Sequence, residues 1–137
     1  MTEFTSDIKT IPYSDRNVFA VLSDLSNLER VKDRIPAEQI KGFTFDSDRC
    51  SFEISPVGRI EFQIVNREPN KTVKFETTNS PVPLNMWLQL KSVGDDVTKM
   101  KMTVRTNLNP ILKPMISKPI QEAVNRISSI IASLPYE

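Results

Sequence analysis

Histidine is absent from this 137-residue chain. That removes every chemistry needing an imidazole: Ser-His-Asp triads, Cys-His dyads and histidine-ligated metals. Cysteine is nearly absent too, and the single Cys50 leaves no internal disulfide and suits a reducing compartment. The three glycines, Gly42, Gly58 and Gly94, lie too far apart to form a phosphate-cradling loop. No run approaches the ~20 apolar residues of a membrane-spanning helix, so no stable membrane insertion is expected. Neither sign of charge dominates: 18 Lys and Arg stand against 17 Asp and Glu. The net charge of +1 gives no reason to expect an anionic membrane as partner. Basic residues are dispersed among acids without interleaved aromatics, which excludes nucleic acid as the expected partner. Residues 1–7 lack the basic start and apolar core of a signal peptide, so a cytoplasmic location is expected. Without export, the Asn70-Lys71-Thr72 sequon is read as chance. No cofactor or metal motif is present.

The residues that are present describe an ordinary globular protein, 39% hydrophobic and 26% charged. At this length one domain, 1–137, is expected, burying roughly two thirds of its unfolded surface. Residues 4–11 read as a weakly alternating strand closed by Pro12. Ser14 is a candidate N-cap with Asp15 in the first turn, and Val18, Val21, Leu22 and Leu25 follow at helical spacing. A second short helix, starting from Ser26 or Asn27, carries Leu28 and Val31, and a further turn is expected at 36–39.

From Ile40 the apolar period changes from 3.6 to 2. Phe43 and Phe45 alternate, then Cys50, Phe52 and Ile54, then Ile60, Phe62 and Ile64. Val73 and Phe75, then Met86, Leu88 and Leu90, then Met100, Met102 and Val104 complete six strands. Turn chemistry at Asp46-Ser47-Asp48, Pro56-Val57-Gly58, Glu68-Pro69-Asn70-Lys71, Asn79-Ser80-Pro81 and Gly94-Asp95-Asp96 keeps the connections short, so an antiparallel meander is the economical topology. One face is apolar and the other charged, which is a sheet with one covered side. The cover is the last segment. Ile116, Ile120, Val124, Ile127, Ile131 and Leu134 form one apolar stripe, opposite Lys118, Glu122, Asn125, Arg126 and Ser129. Asn109 can cap a turn with Pro110 at its first position. Pro119 would cost a hydrogen bond inside a continuous helix, so the favoured reading is a short turn at 110–115 and a main helix at 118–134, capped by Ser117.

The stretch Ile11-Pro12-Tyr13-Ser14-Asp15-Arg16-Asn17-Val18-Phe19, then Leu22-Ser23-Asp24-Leu25 and Leu28, resembles the strand, turn and helix that open the START-like superfamily. This is also called SRPBCC, the polyketide cyclase/dehydrase and lipid-transport group. Element order carries most of the likeness, which covers essentially the whole chain; Leu108-Asn109-Pro110 through Pro119 also resembles small bacterial members. The resemblance implies an α+β helix-grip fold: a seven-stranded curved antiparallel sheet, in the order β-α-α-β6-α, gripping a long C-terminal helix. It also implies a cavity between sheet and helix, used by relatives for lipids, sterols, hormones, polyketides or aromatic compounds.

On that frame the candidate ligand-binding residues of the sheet are Phe52, Phe62, Phe75, Met86, Leu88 and Met102. Those of the helix are Ile120, Val124 and Ile127. Small residues that would hollow this face are scarce, so packing favours a filled or nearly filled core. Cys50 on the apolar face reads as an inert core thiol. Asp46/Asp48 and Asp95/Asp96 read as turn residues. Trp87 falls on the polar register, as do Arg59, Glu76 and Arg105, with cross-strand pairing of Glu61 or Glu76 to Lys74 or Arg105 expected. Tyr13 reads as packing at a helix start. The apolar face offers no acid, base or nucleophile pair, so binding or carriage of an apolar or amphipathic small molecule is favoured over catalysis. Two alternatives stay open. One is a cyclase/dehydrase-like enzyme. The other is a protein-interaction module with a filled core and an exposed apolar patch at Pro81-Val82-Pro83-Leu84 or Ile111-Leu112-Pro114-Met115.

Overall fold

The computed structural model describes residues 2–35 and 40–136; the turn expected at 36–39 lies outside them. The alternating segments form β3 (Lys41–Phe45), β4 (Arg49–Ile54), β5 (Gly58–Glu68), β6 (Thr72–Asn79), β7 (Asn85–Gly94) and β8 (Val97–Thr106). Each pairs antiparallel with the next. The first strand is split rather than continuous. β1 (Thr2–Thr5) and β2 (Lys9–Ile11) both pair with β8, giving the sheet order β1-β8-β7-β6-β5-β4-β3 with β2 beside β1 on the same partner. Ser6 marks the break: its hydroxyl accepts the Met102 N–H at 2.9 Å while its own N–H donates to the Met102 carbonyl at 2.9 Å. The hydroxyl thus stands in for a ladder group, which single-strand alternation does not encode.

Register shifts in β3, twice in β5 and at the end of β7 bend the sheet. Asn70, at φ 61°, makes the left-handed step in the β5–β6 turn that asparagine tolerates better than other side chains. The concave face carries the expected series, with Ile60, Phe62, Val73, Phe75, Leu88, Met100 and Met102 all 2% exposed or less.

Helix α1 (Asp15–Leu22) begins as the sequence indicates: the Ser14 hydroxyl accepts the Asn17 N–H at 3.2 Å. The segment that follows is a 3-10 helix, Leu25–Arg34, and its cap is Asp24, not Ser26 or Asn27. Asp24 Oδ1 accepts both the N–H and the hydroxyl of Ser26, at 3.1 and 2.6 Å. Asn27 instead ties the segment back by donating its amide to the Ala20 carbonyl. Arg67 fastens this region to the sheet through the Ser23 carbonyl, at 2.8 Å, and an ion pair with Asp48 at 2.6 Å.

The closing helix α2 runs unbroken over Lys113–Ser133, with Pro114 in its first turn and Pro119 in its interior. The expected restart at Ser117 is absent because the Ser117 hydroxyl is turned inward on its own helix, donating to the Lys113 carbonyl at 2.5 Å. Pro119 costs the bond to the Met115 carbonyl, near the exposed start of the helix, where the loss is least. Asn109 does cap the preceding turn, accepting from the N–H groups of Ile111 and Leu112 at 3.0 and 2.9 Å. The buried stripe drifts from the expected one: Ile116, Ile120, Val124, Ser128 and Ile130 are buried, while Ile127 and Ile131 are half-buried. Beyond α2, Tyr136 is 1% exposed and donates its hydroxyl to the Ile131 carbonyl at 2.6 Å, its ring edge-on to Tyr13 at 5.9 Å. Burial pushes the Tyr136 phenol above its ordinary range.

Candidate ligand cavity

α2 lies against β1, β2 and β8 and also reaches β4 across the concave face. Between its second half and the sheet a narrow apolar cavity of about 80 Å³ remains. Its floor is Phe52, Phe75, Met86 and Leu88 from the sheet, and its roof is Ile127, Ile130, Ile131 and Leu134. Five of the nine residues expected from the sequence therefore reach it: Phe52, Phe75, Met86, Leu88 and Ile127. The other four are core rather than lining. Phe62 stands behind the floor, its ring 6.0 Å from Phe52 and 6.4 Å from Phe75. Met102, Ile120 and Val124, each 2% exposed, are buried without lining the cavity; Met102 sits beside the lining residue Leu88 across the β7–β8 ladder.

The side wall, Leu22, Leu25 and Leu28, was not among the expected lining. Its signal is legible, because Leu25, Leu28 and Val31 recur every third residue. In a 3-10 helix residues i and i+3 eclipse and share one face. At the mouth stand Ile35, Ile40 and Phe43. Two grooves meet the cavity there. One, of about 230 Å³, shares Ile40, Phe52 and Ile127 with it and adds the charged rim of Lys41, Glu53, Glu122 and Arg126. The other, of about 410 Å³, shares Ile35, Ile40 and Phe43 and carries Lys32 and Asp33.

Among the described residues the cavity wall holds one ionisable group, the buried thiol of Cys50. Burial, with lesser contributions from the charges of Asp46 and Glu61, pushes it up to about 12, so it stays protonated and unreactive. Among the described residues no cluster of three or more Cys, Asp or Glu could hold a metal ion, and no helix is long and apolar enough to cross a membrane. The remaining polar candidates lie outside the cavity. Trp87 is on the opposite face of the sheet, between Lys74 Nζ at 5.4 Å and the Arg105 guanidinium at 5.2 Å, a cation–π arrangement. Gln89 accepts the Thr103 hydroxyl. Arg59 donates to the Gly42 carbonyl and to the hydroxyls of Thr44 and Ser51, pinning the edge strand β3. The expected charge pairs are rearranged: Arg105 pairs with Glu3 at 2.6 Å, Lys74 with Glu76 on its own strand at 3.6 Å, and Glu61 accepts the Thr78 hydroxyl. Asp46 caps its turn through the N–H groups of Asp48 and Arg49.

A bent antiparallel sheet closed on one long C-terminal helix, with an apolar cavity between them, is the START-like helix-grip fold. Solved structures share it along nearly the whole chain. A START superfamily protein from Mycobacterium smegmatis superposes with a TM-score of 0.69 at 12% identity, covering 95% of this chain and 94% of that one. Norcoclaurine synthase from Thalictrum flavum, solved with dopamine and hydroxybenzaldehyde, gives 0.72 at 11% identity, over 96% and 84% of the two chains. The Aha1 dimer from Colwellia psychrerythraea gives 0.64 at 16%, over 98% and 96%. No protein-family model and no curated protein matches the sequence, so the likeness is one of fold.

Proposed function

We propose that the chain acts as one START-like domain that binds or carries an apolar or amphipathic small molecule between the sheet and α2 without transforming it. The observation that carries this reading is a cavity with an apolar lining that opens, around Ile40, onto two grooves with charged rims. Apolar walls with polar groups confined to the mouth suit a ligand with a greasy body and a polar end. At about 80 Å³ the space is smaller than the ~150 Å³ apolar cavity that takes benzene. A ligand of lipid or polyketide size must therefore displace the half-buried side chains of Ile35 and Phe43 and join the cavity to its grooves. Met86, whose unbranched thioether repacks readily, lets the floor follow. The likeness to a synthase solved with two aromatic compounds keeps small aromatics among the ligand types. A cyclase-type reaction would work mainly by folding its substrate in the cavity and would be favoured by inward-facing polar side chains, but Tyr13, Arg59, Trp87 and Gln89 are not among the lining residues.

Native mass spectrometry of the protein purified from its own host tests the reading. A stoichiometric small molecule should accompany the wild type and be lost from Leu88→Phe, whose larger side chain grows into the cavity. Ligand-free wild-type protein that also fails to take up apolar probes would refute it.

A further inference from the structure

Of the two apolar stretches singled out in the sequence, the fold buries one and displays the other. Val82 and Leu84 are only 7% and 3% exposed, whereas Ile111 is 79%, Leu112 38% and Met115 63% exposed. These three side chains form a tip at the start of α2. The backbone holds them out: Asn109 accepts the N–H groups of Ile111 and Leu112, and Pro110 and Pro114 fix their own φ angles on either side. Charge is lopsided here, although the whole chain is nearly neutral. Between Asp96 and Glu122 there is no acidic residue; of the five basic ones in that interval, Lys99, Lys101 and Arg105 belong to β8, where Arg105 is paired with Glu3, and Lys113 and Lys118 belong to α2. Lys113 and Lys118 flank the tip; the Lys118 side chain is 84% exposed and pairs with Glu122 one turn on at 4.0 Å, an exposed contact worth little against an anionic surface.

We propose that this tip docks the protein on an anionic lipid bilayer. Ile111, Leu112 and Met115 would enter the boundary between headgroups and acyl chains, while Lys113 and Lys118 meet the anionic headgroups. A bilayer suits the tip better than a protein partner does. Three side chains fall well short of the ~800 Å² per partner that a stable protein interface buries, whereas a bilayer accepts a small insertion without a complementary shape. The tip is also continuous with the cavity mouth. Met115, Pro119, Glu122 and Arg126 follow at intervals of four, three and four residues, which places them on one helix face, and the last three line the groove that adjoins the cavity. Docking would turn that groove toward the membrane as a route for the ligand. This last step rests on the carrier reading; docking itself does not.

Flotation with vesicles of phosphatidylglycerol and phosphatidylcholine in equal parts, against phosphatidylcholine alone, tests the proposal. The wild type should float with the anionic vesicles and release as salt is raised. Ile111→Ser/Met115→Ser should weaken binding at least tenfold, and Lys113→Gln/Lys118→Gln should weaken it and flatten the salt dependence, with both variants melting like the wild type. Failure of the wild type to float overturns the proposal, as does undiminished flotation of the Ile111→Ser/Met115→Ser protein. A concentration-dependent dimer lost in that variant, without vesicle binding, would assign the tip to self-association and overturn it too. Uptake of 1-anilinonaphthalene-8-sulfonate in vesicle-free solution separates the two readings. Uptake without docking refutes the docking alone, and docking without uptake leaves the tip standing and counts against the carrier.

Discussion

Leu88 offers a direct measure of how the floor of the cavity is packed. It is 2% exposed, sits between Val73 of β6 and Met102 of β8, and already borders about 80 Å³ of open space. Leu→Ala in a rigid core costs about 2.7–5.0 kcal/mol, rising by about 24 cal/mol for each Å³ left unfilled. Here the new void merges with an existing one, and the sheet ladders on both sides of β7 resist collapse. Leu88→Ala should therefore fall in the upper half of that range, about 4 kcal/mol. With an unfolding entropy of about 2.1 cal/mol/K per residue over this chain, that lowers Tm by roughly 14 °C. The enlarged cavity should then accept benzene or toluene, and saturation at about 100 times Kd would return about 2.7 kcal/mol. Leu88→Phe should run the other way, filling the space with little change in Tm and no response to either compound. Thermal unfolding followed by circular dichroism, with and without ligand, reads all of this. A loss below about 1 kcal/mol, or no ligand-dependent rise for Leu88→Ala, would refute the picture of a rigid, dry cavity beside Leu88.

Three further outcomes follow from the geometry. The folded state holds Cys50 protonated well above its ordinary pKa of 9.0, so stability is complete below pH 9 and should decline as the pH rises toward 12, because the unfolded thiol releases its proton first. Urea titrations should show that decline to be shallower in Cys50→Ala, and an equal slope in both proteins would contradict the assignment. Gly42 adopts φ +65°, and a Cβ there would come within 2.8 Å of Arg59 Nη1; Gly42→Ala should cost about 1–2 kcal/mol and speed hydrogen exchange in β3, whereas unchanged exchange would show that β3 does not depend on the Arg59 contacts. Pro119→Ala should stabilise the protein by about 1–3 kcal/mol by restoring the bond to the Met115 carbonyl, while a loss of stability would point to two helices meeting at Ser117.

What the residues determine alone is the local geometry and the faces. Period-2 alternation from Phe43 to Val104, with turn residues at each break, is enough to specify six antiparallel strands, because a one-residue slip would turn every apolar side chain to water. The Ser14 and Asn109 caps were legible for the same reason: each is satisfied within three residues. The split at Ser6 and the continuity of α2 through Pro119 were not, since one depends on Met102, 96 positions away, and the other on helix packing outweighing the loss of one bond. The site was half legible. An apolar residue on a covered face is buried wherever it falls, but whether it borders a void depends on where the helix crosses the sheet. That crossing leaves Phe52, Phe75, Met86, Leu88 and Ile127 at the cavity and seals Phe62, Met102, Ile120 and Val124 into the core. The same crossing exposes Ile111 and Met115 while Val82 and Leu84 are covered, a difference between apolar segments that no pattern along the chain expresses.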